Sequence, residues 1–357
     1  MMLKACDTNL GGYALYIRRK ALVIAVLLLA LVPALIAALS LGAAAVPIKD
    51  VVLSLIGADA PRRSDIIVWS IRLPQAVAAM LAGAGLAVSG AAMQSVLRNP
   101  LGSPFTLGIS HAAAFGAALS VMAVGAMEIP SAEGGAVAVY NPVAVTLSAF
   151  GFSLLAAALI TLIARVRGAS PEVMVLTGVA LGSLFTAGTM FLQFFADDVQ
   201  LAAMVFWTFG DTARATWRDI GLIAAVTLPV SIYFIAQCWN YNAIDAGDET
   251  AQGLGVRVER LRLVSMFAAS LLTAVSISFL GIIGFVGLVV PHMVRRVIGA
   301  DHRFLLPASL IGGALLLLVA DTAARLVLSP NVLPVSVLTS FLGVPVFLWL
   351  ILRGGRH

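Results

Sequence analysis

Length, composition and charge already restrict what this chain can be. It has 357 residues, of which 61% are hydrophobic and only 11% are charged, with 22 Lys and Arg against 17 Asp and Glu. A soluble globular protein carries about a quarter charged residues, so this composition excludes a soluble single domain. The chain is therefore expected to be an all-α polytopic membrane protein.

The first long apolar stretch, residues 21–41, follows three basic residues, which is the outline of a secretory signal. It is longer than the roughly 7 to 15 residues of a signal core, so it is predicted to remain as the first helix. The two cysteines, Cys6 and Cys238, suggest neither a disulfide framework nor a metal cluster.

Apolar stretches recur along the whole chain. A helix needs roughly 20 apolar residues to span about 30 Å of hydrocarbon. The stretches predict about ten spans, at 21–41, 72–94, 106–126, 142–164, 173–195, 219–239, 264–283, 285–298, 306–328 and 334–352. The seventh and eighth are predicted as separate spans because Gly281, Gly284 and Gly287 interrupt the apolar run.

The distribution of basic residues supports this count. With ten spans both termini are cytoplasmic, and most of the 22 Lys and Arg residues fall in cytoplasmic connections. The longest connections have only about 20 to 30 residues, too few for a separate soluble domain. A single transmembrane domain is expected over residues 1–357, with an N-terminal cytoplasmic tail at 1–20.

The sequence carries no motif for ATP hydrolysis or metalloprotease chemistry. A phosphate-binding loop needs a Lys after Gly, and none of Lys4, Lys20 and Lys49 follows a glycine. The four histidines are scattered, and no HExxH motif occurs. The chain is therefore not expected to be an enzyme, and ATP-driven transport would need a separate ATPase subunit.

Residues 240–262 form the most polar internal stretch, and the charge rule places them in the cytoplasm. Asp248 and Glu249 suit the positive end of a short helix, and Gly255 suits the left-handed position just past its C-terminus. Such an element is suited to receive force from a motor subunit. A solvated loop with one helical turn is the alternative.

Several stretches resemble the permease subunits of the ABC importers for iron-siderophores, haem and cobalamin, which are type II importers. The resemblance lies in 71–110, in DETAQGLGV at 248–256, in 284–307 and in 320–353. It implies ten helices in a type II ABC importer permease fold, and a homodimer or pseudo-dimer around one central pathway. It also implies two cytoplasmic ATPase subunits that hold ATP and Mg, an extracytoplasmic substrate-binding protein, and the inner membrane as location. Neither a cofactor on this chain nor a nucleic-acid partner is expected.

The resemblance identifies 240–262 as a cytoplasmic coupling region that docks into a groove on the ATPase. The residues that match the family's coupling segment are Asp248, Glu249, Thr250, Ala251, Leu254, Gly255 and Val256. Gly253 replaces a bulkier residue that is usual in the family. Glycine costs a helix roughly 1 kcal/mol relative to Ala, so the segment is expected to be looser or to pack closely on its partner.

Arg72 and Arg325 lie at the predicted outer ends of their spans, where the family's arginines pair with acidic residues of the binding protein. Gln75 stands where the family often has a second arginine, which leaves this surface less charged. Alternatively, Arg72 snorkels to the headgroups, and Arg325 pairs with Asp321 one helical turn away. A lone carboxylate in a span costs about 3 kcal/mol or more, so Asp321 is expected to be paired rather than to relay protons.

A translocation pathway is predicted on small and helix-breaking residues. The residues assigned to it are Gly83, Gly90, Asn99, Pro100, Pro104 and His111. Irregular backbone within the membrane must be buried in protein or line a cavity. The two glycines belong to a helix that lines the central cavity in the family, although close helix packing is the simpler explanation. The histidine is either a substrate contact or a hydrogen-bonded packing residue.

Taken together, these features predict a permease that works by alternating access and imports an iron-siderophore or haem. Cobalamin is the alternative substrate. A secondary transporter driven by protons or sodium is the less favoured alternative, because the sequence lacks an array of buried charges.

Overall fold

The computed structural model describes residues 2–42, 44–124, 126–130, 136–329 and 331–354, and this part is mostly helical. Its first half contains α1 (Met2–Ser40), α2 (Ile48–Leu55), α3 (Arg62–Ile66), a π-helical turn (Ile67–Arg72), α4 (Leu73–Val96), α5 (Ile109–Val124), β1 (Ala126–Pro130), β2 (Ala136–Tyr140), α6 (Pro142–Val166) and α7 (Pro171–Phe195). Its second half contains α8 (Asp198–Thr208), a 3₁₀ turn (Thr212–Arg214), α9 (Trp217–Ala236), α10 (Cys238–Asp245), α11 (Asp248–Gly253), α12 (Val258–Leu280), α13 (Val286–Ile298), α14 (His302–Val327) and α15 (Val335–Gly354).

Seven stretches of the described chain are long and apolar enough to cross a membrane, which supports a polytopic membrane protein. They are α1, the stretch from α3 to α4, α6, α7, α9, α12 and α14. Helices α5 and α15 are apolar but shorter, and α13 has only 13 residues. Each of the ten predicted spans falls on one helix. The crossings by α5, α13 and α15 stay a prediction, and so does the count of ten.

Helix α4 lies at the centre of the bundle and is the most buried of the seven, whereas α1 is the most exposed. It contacts α9, α12, α13 and α14. Helix α4 can make these contacts because its run of small residues lets neighbouring backbones approach closely. Helices α9, α12, α13 and α14 are therefore positioned by their packing against α4.

The predicted interruption between the seventh and eighth spans is confirmed. Helix α12 ends at Leu280, and Gly281 follows in the left-handed region at φ +78°. Ile282 then forms an isolated β-bridge with Phe209, and Phe285 adopts φ +66° just before α13 begins. A left-handed phenylalanine costs of order 1 kcal/mol or more, so this linker is held in place by its surroundings.

Two local features differ from the expectation of an all-α chain with one short helix in 240–262. Strands β1 and β2 form an antiparallel hairpin whose register runs from Ala126 opposite Tyr140 to Pro130 opposite Ala136. The polar region contains two short helices, α10 and α11, rather than one. The hairpin was missed because its strands adjoin apolar helices, from which short apolar strands cannot be told by periodicity.

Candidate coupling segment and transport surfaces

The predicted coupling segment is a short helix with a defined beginning and end. Gly247 precedes α11 at φ +123°, and Leu254 follows it as the C-cap. Gly255 then adopts φ +86°, as the sequence predicted for the position past the helix. The Val256 amide donates to the Ala251 carbonyl at 2.9 Å, which closes the turn.

Two arginines hold α11 against the bundle. The Asp248 carboxylate lies 3.1 Å from the Arg98 guanidinium and 2.8 Å from that of Arg262. Arg98 follows α4, and Arg262 belongs to α12 and also donates to the Val96 carbonyl at 3.1 Å. The first residue of the coupling segment is thereby joined to the end of α4 and to α12.

The segment has one buried face and one exposed face. Ala251 is completely buried, whereas the Leu254 residue is 70% exposed. Glu249, Thr250 and Gly255 are also exposed, and a Cβ added at Gly253 would meet nothing within 4 Å. Gly253 therefore lies beside open space and does not pack against the rest of the described chain.

A second network anchors the neighbouring helix α10. The buried His302 ring lies 2.7 Å from the Ser95 hydroxyl through Nε2 and 2.9 Å from the Asn242 Oδ1 through Nδ1. Because an amide oxygen only accepts, Nδ1 carries the proton and Nε2 accepts from Ser95. These bonds join α10 to α4 and α14. We call the end of the bundle that holds α10 and α11 the coupling end.

The same network continues through a carboxylate at the start of α14. Asn242 donates to the Asp301 carboxylate at 3.0 Å, and the Arg303 guanidinium lies 2.7 Å from it. Burial opposes ionisation of Asp301, but the hydrogen bonds from Arg303 and Asn242 outweigh it and hold the pKa of this carboxyl at about 2. Asp301 is therefore a fixed negative charge that orients Asn242.

Sequence reasoning missed these anchoring residues. No sequence pattern assigns an anchoring role to Arg98, Arg262, Asn242 or His302. The signal that could have found Arg262 is its position 14 residues after Asp248, whereas Arg98 is far from Asp248 in the sequence. The link from Ser95 to His302 spans 207 positions and leaves no local pattern.

The predicted docking arginines lie inside the molecule at the opposite end, which we define as the end that holds α2 and α3. Arg72 is only 4% exposed and donates to the carbonyls of Leu39 and Ala44. Arg325 is 8% exposed and lies 3.3 Å from Asp321. Both side chains are turned inward to acceptors within the chain, which does not favour a docking role for either arginine. Their docking role is untested.

The alternative pairing of Asp321 with Arg325 is confirmed, and the carboxylate has further partners. The Gln75 amide donates to its Oδ1 at 3.1 Å, and the Thr212 hydroxyl donates to the same oxygen. Gln75 was expected at the docking surface. Its side chain is buried and contacts Asp321 instead. We call Asp321, Arg325, Gln75 and Thr212 the Asp321 cluster.

The exposed cations of the opposite end are other residues. Arg62 and Arg63 open α3, and Arg218 lies in the first turn of α9, and all three are exposed. None of the three has a hydrogen bond or ion pair within the described residues. Helices α2 and α3 are fastened together by a bond of 2.6 Å from the Ser54 hydroxyl to Asp65. Arg62 and Arg63 therefore lie on a helix that is fixed to α2.

The two glycines assigned to the pathway lie at helix contacts inside the chain. A Cβ at Gly83 would be 2.2 Å from the Gly313 carbonyl oxygen of α14. One at Gly90 would be 1.8 Å from the Gly287 carbonyl oxygen of α13. Close packing explains both glycines, and they do not line an open path in this conformation.

The break predicted at 99–104 lies at the coupling end beside α11. The Asn99 side chain accepts from the Leu101 amide at 2.9 Å and shapes the turn. Pro100 is exposed and Pro104 is buried. His111 is exposed on α5 and makes no hydrogen bond within the described residues, so the packing role is not supported and its role in substrate contact stays a prediction.

A concave apolar surface was not anticipated from the sequence. A cavity of about 640 Å³ lies between the α12–α13 linker, the end of α8 and helix α15. Its wall includes Phe105, Phe209, Phe285 and Phe341, and the Ser336 and Ser340 hydroxyls are among its few polar groups. Its shape suits a large ligand that makes few specific polar contacts.

Comparisons with known proteins agree with this architecture. A sequence model of the FecCD transport family matches residues 26–353. An ABC transporter permease protein of Methanocaldococcus jannaschii is 51% identical, and the match covers 96% of this chain and 97% of that protein. The hemin transport system permease of Yersinia pestis is 39% identical, with 80% and 83% covered. The vitamin B12 import system permease of Escherichia coli is 36% identical, with 82% and 86% covered.

A solved structure has the same fold. It is an inward-facing conformation of a metal-chelate type ABC transporter, with a TM-score of 0.78 and 28% identity, and the match covers 94% of this chain and 99% of that chain. The family match spans most of the sequence and includes the coupling segment. The chain therefore belongs to the FecCD transport family and is an ABC transporter permease.

Proposed function

We propose that this chain is the transmembrane permease subunit of an ATP-driven importer that takes up an iron-siderophore or haem delivered by a binding protein. The observation that carries the proposal is the arrangement of the coupling segment. Leu254 is exposed to a partner, while Asp248 joins the segment to Arg98 and Arg262. A force applied to Leu254 would reach α4 and α12 through those contacts. That is the geometry that a separate motor subunit requires.

The complete importer that we propose contains more than this chain. Two copies would form a homodimer in the inner membrane, each with ten crossings and cytoplasmic termini. Two ATPase subunits would bind ATP and Mg at the coupling end, and an extracytoplasmic binding protein would dock at the opposite end. This chain would hold no cofactor and would catalyse no bond chemistry.

The cavity beside α15 is our candidate for one wall of the translocation pathway. It is concave and apolar, and the exposed Phe341 of α15 stands at its rim, where a second copy would complete the enclosure. A smooth wall suits a large chelate, because tight polar contacts would slow its release. This cavity replaces Gly83 and Gly90 as our candidate for the pathway, because both glycines lie at close contacts between helices.

The substrate class is inferred from relatives. The hemin permease and the metal-chelate type transporter favour an iron chelate or haem, and the vitamin B12 permease keeps cobalamin as the alternative. An ion-driven secondary transporter is less favoured, because the buried carboxylate Asp321 already has Arg325, Gln75 and Thr212 as partners. A proton relay needs a carboxylate that is free to exchange its proton.

Binding-protein docking is better assigned to exposed cations than to buried ones. Arg62, Arg63 and Arg218 are exposed at the opposite end and have no partner within the described residues. Acidic residues of a binding protein could pair with them without unfolding anything. Arg72 and Arg325 would first have to give up internal partners.

The test is a charge substitution at the exposed leucine of α11, with a matched control. We expect Leu254→Glu to reduce vanadate-sensitive uptake of an iron-siderophore or haem by about tenfold or more. The free energy of unfolding should change by less than about 0.5 kcal/mol, because the site is exposed. Val166 is an equally exposed apolar residue at the end of α6, so Val166→Glu is the control and should transport normally.

Two results would contradict the proposal. Unchanged uptake in Leu254→Glu would remove the coupling role from α11. Uptake that resists vanadate but stops with a proton ionophore would identify an ion-driven transporter instead.

A further inference from the structure

A second cavity lies next to the coupling segment, and the proposed function assigns no ligand to it. Its volume is about 380 Å³, and it opens between the end of α9, helix α10 and the beginning of α12. One side is formed by Tyr233, Gln237 and Asn240. The other lining residues include Arg257 and Arg260 at the beginning of α12, and Gly255 and Val256 at the end of the coupling segment.

The polar lining of this cavity is suited to an anion. Arg257 and Arg260 are exposed and form no ion pair or hydrogen bond within the described residues, and no carboxylate is among the lining residues. Asn240 donates to the Gln237 amide oxygen, which leaves the Gln237 amino group to donate elsewhere. Guanidinium groups bind phosphate oxygens with paired hydrogen bonds.

The surface below the cavity is apolar and exposed. Ile232 and Ile235 on α9 and Val264 and Phe267 on α12 all present large exposed side chains. Both helices are long and apolar enough to cross a membrane, so this strip lies where acyl chains would be. The exposed Trp239 of α10 adds an aromatic ring of the kind found at membrane interfaces.

We propose that this cavity binds the phosphate of an anionic phospholipid whose acyl chains lie along α9 and α12. An acidic segment of a soluble partner would account for the two arginines but not for the apolar strip that continues below them. A phospholipid accounts for both, because it carries its phosphate directly above its acyl chains. The lipid headgroup would also touch Gly255 and Val256 at the end of the coupling segment.

The test measures lipid retention on the purified full-length chain and does not depend on transport. After mild delipidation, native mass spectrometry should detect retained phosphatidylglycerol in preference to phosphatidylcholine. The double variant R257Q/R260Q should lose at least about fivefold of this retention, since both charged phosphate contacts are removed. The matched control R165Q/R167Q removes two exposed arginines that have no partner in the described chain at the end of α6 and should retain the lipid.

A third variant separates the cavity from its charge. Val264→Trp fills the cavity from below while both arginines remain, and it should also lose phosphatidylglycerol. Equal retention by R257Q/R260Q and the wild type, or equal loss in both arginine pairs, would overturn the proposal. Displacement of the lipid by millimolar inorganic phosphate would also overturn it, because the site would then be one for free anions.

Discussion

The two ends of the bundle use the same chemical grouping in opposite surroundings. At the coupling end, Asp248 contacts Arg98 and Arg262, and its side chain is 33% exposed. At the opposite end, Asp321 contacts Arg325, and its side chain is only 3% exposed. One carboxylate is reached by water and the other is enclosed by α4, α14 and the 3₁₀ turn.

The difference in exposure means that the contacts of Asp248 can rearrange, whereas those of Asp321 cannot. Water can replace the partner of a carboxylate that is one-third exposed, so rearranging Asp248 costs little. Removing a partner from a buried carboxylate leaves an uncompensated charge in a medium of low polarity. The contacts of the coupling end can therefore rearrange during transport, whereas the Asp321 cluster holds α4 and α14 in one relative position.

The largest effect is expected from breaking the buried side of this comparison. Asp321→Ala leaves Arg325 without its carboxylate and removes the acceptor of Gln75 and Thr212. The free energy of unfolding should fall by about 3 to 5 kcal/mol. Thermal unfolding in lipid nanodiscs measures the loss. The exposed Glu259 serves as the control, and Glu259→Ala should unfold close to the wild type.

A second variant tests whether charge, rather than shape, causes that loss. The double variant D321L/R325L removes both charges together and should recover much of the lost stability, because an apolar pair often replaces a buried ion pair without cost. If Asp321→Ala unfolds within about 1 kcal/mol of the wild type, the cluster is not the fixed contact described here.

An intermediate effect is expected at the coupling end, where the two arginines differ in burial. The Arg262 side chain is 6% exposed and also bonds to the Val96 carbonyl, whereas the Arg98 side chain is 40% exposed. Arg262→Met should cost about 2 kcal/mol, since a buried carbonyl loses its donor. Arg98→Met should cost less than about 1 kcal/mol. Parallel unfolding curves compare them, and equal losses would show that burial does not set the difference.

Much of the fold follows from local features of the sequence. Apolar length located every long helix, and the glycines after Leu280 located the break before α13. The turn at Gly255 followed from helix-capping rules, and the pairing of Asp321 with Arg325 followed from their spacing of four residues. Each of these features depends on residues that are close together in the chain.

The direction of Arg72 could not be predicted in this way. A π-helical turn, Ile67–Arg72, precedes α4 and changes where the side chain points relative to a regular helix. The acceptor carbonyls belong to Leu39 and Ala44, about thirty positions away. The apolar cavity likewise combines Phe105, Phe209 and Phe285, which no sequence period brings together.

The smallest effect concerns two glycines at the coupling end that differ only in backbone conformation. Gly253 ends α11 with open space around it, so Gly253→Ala should stabilise the chain by about 0.5 kcal/mol or slightly more. Gly255 also has open space but adopts φ +86°, so Gly255→Ala should destabilise it by about 1 kcal/mol. Hydrogen exchange of the α11 amides reports both changes. Faster exchange in Gly253→Ala would mean that the flexibility of this glycine does not limit the helix.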